Sequence, residues 1–152
     1  MTVAAYDLDG VLAAPVPASF FTKPWRHMSG VERSQRANRL LEWYATAPLL
    51  HVPTERSFHV ITARKEEVRS VTQRWLEKQF GKRVLSVCML SVGRTVKNVV
   101  EFKAASLRRL GVTDFTEDNR TIVRALRRQD LRCRVWHYVG GRQVLDYEPG
   151  FL

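Results

Sequence analysis

Short apolar runs alternate with amphipathic stretches along this chain, and the alternation predicts a three-layer α/β domain built on a parallel sheet. Two further observations point the same way. The early apolar runs end in acids, hydroxyls or glycine, as strands do where they leave a sheet. Near the C-terminus, Gly140-Gly141 separates two strand-like runs and predicts a β-hairpin with a two-residue turn.

The elements follow in order. Residues 2–8 (TVAAYDL) read as a buried strand. Residues 13–55 form a short loop-plus-helix insert. Its first part, 14–30, is proline-bearing loop, and over 31–46 Leu40, Leu41 and Tyr44 share a helical face. Residues 57–62 (SFHVIT) are a strand. Residues 64–80 place Val68, Val71 and Trp75 at helical spacing and stop at Gly81. Residues 83–90 are a third strand. In the helix 96–110, Val99, Phe102, Ser106 and Leu110 align, and Gly111 ends it. A strand over 112–116 leads to a helix over 119–129 with Ile122, Val123 and Leu126 inward, and the hairpin strands 132–139 and 142–147 close the chain. Trp43, Trp75 and Trp136 read as core.

The chain has 152 residues, which predicts one domain, 1–152. Its 45% apolar and 26% charged content is that of a globular protein and excludes a disordered or fibrous chain. No apolar run approaches the ~18 residues of a membrane span, and the N-terminus lacks the basic start of a signal peptide. Two cysteines, Cys88 and Cys133, cannot make a disulfide framework or a structural zinc site, so the expected compartment is the reducing cytoplasm.

The net charge of +10 is unevenly placed. Residues 1–55 hold five bases and five acids, so the whole excess lies beyond them. Nineteen of the 25 bases are arginine, whose planar fork grips phosphate, and phosphate-bearing partners, nucleic acid among them, are the expectation. Between Arg120 and Arg142 seven arginines face one acid.

Ligands of a parallel α/β sheet bind outside the carboxyl ends of its strands. Those ends carry Asp7 and Asp9, then Thr62-Ala63-Arg64, then Glu117-Asp118-Asn119, with Lys97 and Lys103 on the helix before the last of them. Four acids in one crevice repel unless a cation lies between them, and an oxygen-only set suits Mg²⁺. A lysine there suits a phosphate group beside the metal.

These residues resemble the motifs of the haloacid dehalogenase-like hydrolases. Tyr6-Asp7-Leu8-Asp9-Gly10-Val11 is similar to the first motif and His59-Val60-Ile61-Thr62 to the second. Glu101-Phe102-Lys103 resembles the third, and Phe115-Thr116-Glu117-Asp118-Asn119 the fourth. The order is kept over residues 3–119. The resemblance implies a Rossmann-like core with a minimal cap. It further implies that Asp7 is a nucleophile forming an aspartyl-phosphate, and that Asp9 is the acid and base. Thr62 would bind the phosphoryl group, and Lys103 would offset the negative charge. Asp7, the main-chain carbonyl of Asp9, and Glu117 or Asp118 would hold Mg²⁺. An Asp at position 9 favours phosphoryl transfer over dehalogenation. The fourth motif departs from the commoner Asp-Asp, leaving open which of Glu117 and Asp118 ligates directly. Lys97 competes with Lys103. The short insert leaves an open site suited to a nucleotide or a nucleic-acid end. A small-metabolite phosphatase and a non-catalytic nucleotide- or RNA-binding module are the alternatives.

Candidate substrate contacts lie around these motifs. Arg64 either touches substrate or pairs with Glu67. Lys23 and Arg26 sit among Phe20, Phe21 and Trp25, a mixture that either stacks on a single strand or packs as a lid. Arg120 and Arg124, with Arg127 and Arg128, share a helix face that is either solvated or bound to nucleic acid.

Overall fold

The computed structural model describes residues 1–150. It is an α/β domain with a six-stranded sheet in the order β3-β2-β1-β4-β5-β6. The strands are β1 (Ala4–Tyr6), β2 (Phe58–Lys65), β3 (Val84–Leu90), β4 (Asp114–Glu117), β5 (Arg134–Val139) and β6 (Arg142–Tyr147). All neighbours are parallel except β5 and β6, which form the antiparallel hairpin expected around Gly140-Gly141. The helices are α1 (Gly30–Thr46), α2 (Arg69–Phe80), α3 (Val96–Leu110) and α4 (Arg120–Leu126). The arrangement is compatible with a Rossmann-like fold.

Alternation along the strands builds two cores. Ala5, Ile61, Phe115 and Val135 pack with α3 and α4 residues such as Val99, Leu107, Ile122 and Leu126. Ala4, Tyr6, Phe58 and Val60 turn to the other face and meet Trp75, Leu76 and Phe80 of α2. Chain order explains the crevice. The chain winds from β1 outward to β3, then returns to place β4 on the other side of β1. The connections after β1 and β4 therefore diverge, and a cleft opens at the strand ends between them.

Several elements differ from the sequence expectation for local physical reasons. Regular pairing in β1 covers only Ala4–Tyr6, because the chain turns at Leu8, whose carbonyl accepts from the amides of Val11, Leu12 and Ala13. β2 continues to Lys65 instead of ending at Thr62. Thr62 pairs with Met89 and Lys65 with Leu90, so Ala63 and Arg64 form a bulge. α4 ends at Leu126 because the next turn tightens to i→i+3 bonds from Arg128 and Gln129. Trp136 is half-buried, with its indole N–H donating to Asp114.

The insert is tied off at its base, where the Ala14 amide donates to the Pro48 carbonyl and the Leu50 amide to the Leu12 carbonyl, both at 2.8 Å. Two 3₁₀ turns, Ala18–Phe21 and Trp25–His27, precede α1. Ser29 caps α1 with a reciprocal bond to Glu32. Only Tyr44 of this helix is buried. Among the described residues no helix is long and apolar enough to cross a membrane.

Truncating Leu107→Ala in the α3 core should lower unfolding free energy by about 2–5 kcal/mol. Leu85→Ala on the exposed face of β3 should stay within about 0.5 kcal/mol. Urea denaturation midpoints at constant m-value check the pair.

Candidate functional site

The cleft at the strand ends encloses about 400 Å³. β1 supplies Asp7 and Asp9, β2 supplies Thr62 and Arg64, α3 supplies Lys103, and the end of β4 supplies Glu117, Asp118 and Asn119. The strand order brings these together although the β1 and β4 groups are more than a hundred residues apart in sequence.

Lys103 lies at the centre. It projects from the buried face of α3, is 2% exposed, and bridges Asp7 at 3.1 Å and Glu117. Its phase is set by Thr95, which caps the helix by accepting from the Asn98 amide, and by the left-handed Gly111 at the other end. Lys97, the competing lysine, is exposed and outside the cleft. Glu117 also accepts from the Asn119 amide at 3.2 Å, and Asn119 in turn caps α4.

One ammonium serves three carboxylates. Oxygens of Asp7, Glu117 and Asp118 all lie within 4.8 Å of one another. The Asp7 carboxyl is held well above its usual range, first by burial, then by Glu117, against the pull of Lys103. Asp118 is pushed up to about 6 by burial and by Asp7. For Lys103, burial alone would favour the neutral amine, but Asp7 and Glu117 outweigh it and raise its pKa. Gly10 admits this crowding. Its φ is +84°, and a Cβ there would meet Asp118 Oδ2 at 2.0 Å, so only glycine lets the Asp118 carboxylate approach the β1 loop. Three carboxylates with one local cation could hold a hard divalent ion.

Asp9 has a different partner. Arg64 donates to both of its oxygens, at 2.9 and 2.6 Å. Arg64 is itself 2% exposed, donates to Thr72 Oγ1 at 3.2 Å, and stacks 3.9 Å from the centre of the Tyr44 ring. Of the two sequence expectations for Arg64, substrate contact or a pair with Glu67, the fold leaves it lining the cleft, with the carboxylate in its fork that of Asp9. The Asp9 carboxylate thus stands apart from the three clustered acids. Thr62 is buried at the cleft, where its hydroxyl accepts from the Arg64 amide at 3.1 Å.

The other expected substrate contacts lie outside the cleft lining. Lys23 is exposed and bonded to Glu32 at 2.8 Å, and Arg26 is exposed beside His27. Arg120 and Arg124 are exposed on α4. The aromatic residues of the insert meet α1: Arg33 stacks on Trp25, Arg36 on Phe21 and Arg39 on Phe20, with the closest 4.2 Å from the ring centre.

Two residues at the site carry no sequence motif. Arg94, in the loop between β3 and α3, lines the cleft and is exposed. Among the described residues it is the lining cation without a carboxylate partner, since Lys103 and Arg64 are both engaged. His137 on β5 donates through Nε2 to the Asp118 carbonyl at 2.9 Å and so steadies the fourth-motif loop. The only signal for Arg94 was its place at the end of the third strand, where the chain also approaches the cleft. Searches against protein-family models and curated proteins return no match for this chain.

The charge imbalance has a thermodynamic signature. Folded Asp118 keeps its proton to about pH 6, against 3.8 ordinarily. Between those values the folded state binds more protons than the unfolded chain, so this group's contribution to stability falls as pH rises. Calorimetry of the metal-free protein should show that decline between pH 4 and about 6, and Asp118→Asn should flatten it. If the cluster holds a divalent ion in its ionised form, added Mg²⁺ should raise the melting temperature above that window and have little effect at its acid end.

Proposed function

We propose that this chain is a Mg²⁺-dependent phosphatase of the haloacid dehalogenase-like type, hydrolysing phosphomonoesters of nucleotides or nucleic-acid ends. One observation carries the reading. Two aspartates on a single β1 turn lie in two different electrostatic settings within one cleft. Asp7 sits with Lys103 and two further acids, and Asp9 is clamped by Arg64. A site that only binds phosphate gains nothing from holding a second carboxylate apart.

Asp7, Asp118 and Glu117 are the side chains to hold the metal, with the Asp9 carbonyl as the further ligand that the family resemblance implies. Glu117 is already engaged by Lys103 and the Asn119 amide, so Asp118 is the fourth-motif acid better placed to ligate directly. When bound, Mg²⁺ neutralises the acids and supplies positive charge beside the phosphoryl oxygens.

In this reading a carboxylate oxygen of Asp7 attacks phosphorus, and the bond from phosphorus to the ester oxygen breaks. Asp9 passes a proton to the departing oxygen. A water then adds to phosphorus and returns a proton to Asp9, and phosphate leaves as the Asp7 carboxylate re-forms. Arg64 positions Asp9 throughout. Thr62 donates its hydroxyl hydrogen to a phosphoryl oxygen. Lys103 balances charge on Asp7 and Glu117, and Arg94 takes the substrate phosphate from the open side. Cys88 and Cys133 are free buried thiols, in keeping with a cytoplasmic setting.

The test is phosphate release from a panel of mononucleotides, phosphorylated oligonucleotides and small phosphate esters with Mg²⁺. Turnover should be lost in EDTA and in Asp7→Asn, whose circular dichroism should match the parent. A parent that binds nucleotides but releases no phosphate from any of them would establish the binding-module alternative instead. Arg94→Ala should raise KM by roughly tenfold, the loss of about 1.4 kcal/mol from one charge-assisted bond, with kcat little changed. An unchanged KM would remove Arg94 from the substrate site.

A further inference from the structure

One edge of the sheet is bare, and its sequence is complementary to itself. At the β3 edge, Arg69 reaches over the strand and donates to the Val87 carbonyl at 3.1 Å. β6 has no neighbour on its outer side among the described residues. It contains neither lysine nor proline, the usual guards of an edge strand, and exposes Val144 at 53% and Leu145 at 40%.

The hairpin geometry tells which main-chain groups are free. Gly140 and Gly141 have φ of +57° and +78°, a two-residue turn in which Val139 and Arg142 close the ladder as a hydrogen-bonded pair. Alternation then turns the main-chain groups of Arg142 and Val144 toward β5, and those of Gln143 and Leu145 outward. Leu145 pairs with Trp136 and Tyr147 with Val135, so Asp146 is an extra residue; Arg127 takes both its carbonyl and its carboxylate Oδ2 at 2.8 Å, which leaves Oδ1 of that carboxylate for a second cation. The free edge is therefore 142–145, with Gln143 and Leu145 as its donors and acceptors.

We propose that β6 pairs antiparallel with β6 of a second copy of this chain, about a twofold axis at Val144. In an isologous contact each residue meets one whose number gives a constant sum with its own. Outward groups must meet outward groups, which allows axes at Gln143, Val144 or Leu145. An axis at Gln143 sets Arg142 against Val144, and one at Leu145 sets Asp146 against Val144. The axis at Val144 sets Arg142 of each copy opposite Asp146 of the other. It places Val144 against Val144 between them and lets Gln143 and Leu145 exchange both main-chain bonds, twice. Opposite charges facing across a strand pair stabilise it, and like charges there oppose it. The contact buries the exposed valine and joins two six-stranded sheets into one.

Sedimentation velocity on the full chain reads this directly. The parent should sediment with the mass of two chains. Val144→Lys, which sets two ammonium groups on the axis, and Arg142→Glu, which sets Glu against Asp146 twice, should each sediment as one chain with unchanged circular dichroism. A parent that sediments as one chain overturns the proposal, as does a dimer that survives both single substitutions.

Discussion

A single buried ammonium organises this domain. Lys103 lies between Asp7 at the end of β1 and Glu117 at the end of β4, two strands that are neighbours in the sheet but far apart in the chain. An unpaired carboxylate in that position would be expensive to bury, so the two strand ends need the lysine, and the lysine needs both of them. α3 delivers it from a buried face shared with Val99, Val100, Ala104, Ser106 and Leu107. The cap at Thr95 and the glycine stop at Gly111 thus determine where the site's charge falls, as well as where the helix begins and ends. Asp118 adds a third acid without adding a cation, and the remaining imbalance is the physical basis for expecting a divalent ion.

The second constraint separates two carboxylates that are almost adjacent in sequence. Asp7 follows directly on β1, with its amide still bonded to the Thr116 carbonyl, and Asp9 follows the turn at Leu8. Within two residues the chain moves from an acid-rich cluster to the reach of Arg64. The β2 bulge is what turns Arg64 to meet it, and Thr72 and Tyr44 fix the guanidinium from the far side. Tyr44 comes from α1, so the insert contributes to the site through the one side chain of that helix that is buried. The insert is small, yet it supplies the outer wall against which the Asp9 clamp rests.

The basic excess divides into several populations. Some arginines are structural: Arg33, Arg36 and Arg39 cover the aromatics of the insert, Arg127 and Arg134 pair with Asp146 and Asp114, and Arg64 is internal. Others, including Arg120 and Arg124, stay in solvent on α4, and Arg94 alone stands at the cleft without an acidic partner among the described residues. A count of charges in the sequence merges these groups, although only the last stands at the cleft without an acidic partner among the described residues.

Most of the local structure is legible in the chain by itself. Period-two and helical spacing depend on nearest neighbours, so the strands around Val60, Val87 and Phe115, the helix at 96–110, and the Gly140-Gly141 hairpin all follow from residues within a few positions of one another. The order of the strand ends in the sequence also puts Asp7, Asp9, Thr62, Glu117 and Asp118 at the carboxyl end of the sheet. The pairings needed the tertiary structure. The sequence offers both Lys97 and Lys103 for the third motif, and the packing of α3 buries the second and leaves the first exposed. In sequence Arg64 suits either a substrate contact or a pair with Glu67, and its bond to Asp9 is illegible there because a bulge has no sequence signature and Asp9 lies far away in the chain. Arg94 sits in a loop with no period at all. These are contacts across the β2-β1-β4 order, and strand order arises from how the whole chain buries its apolar faces, which no local stretch of sequence encodes.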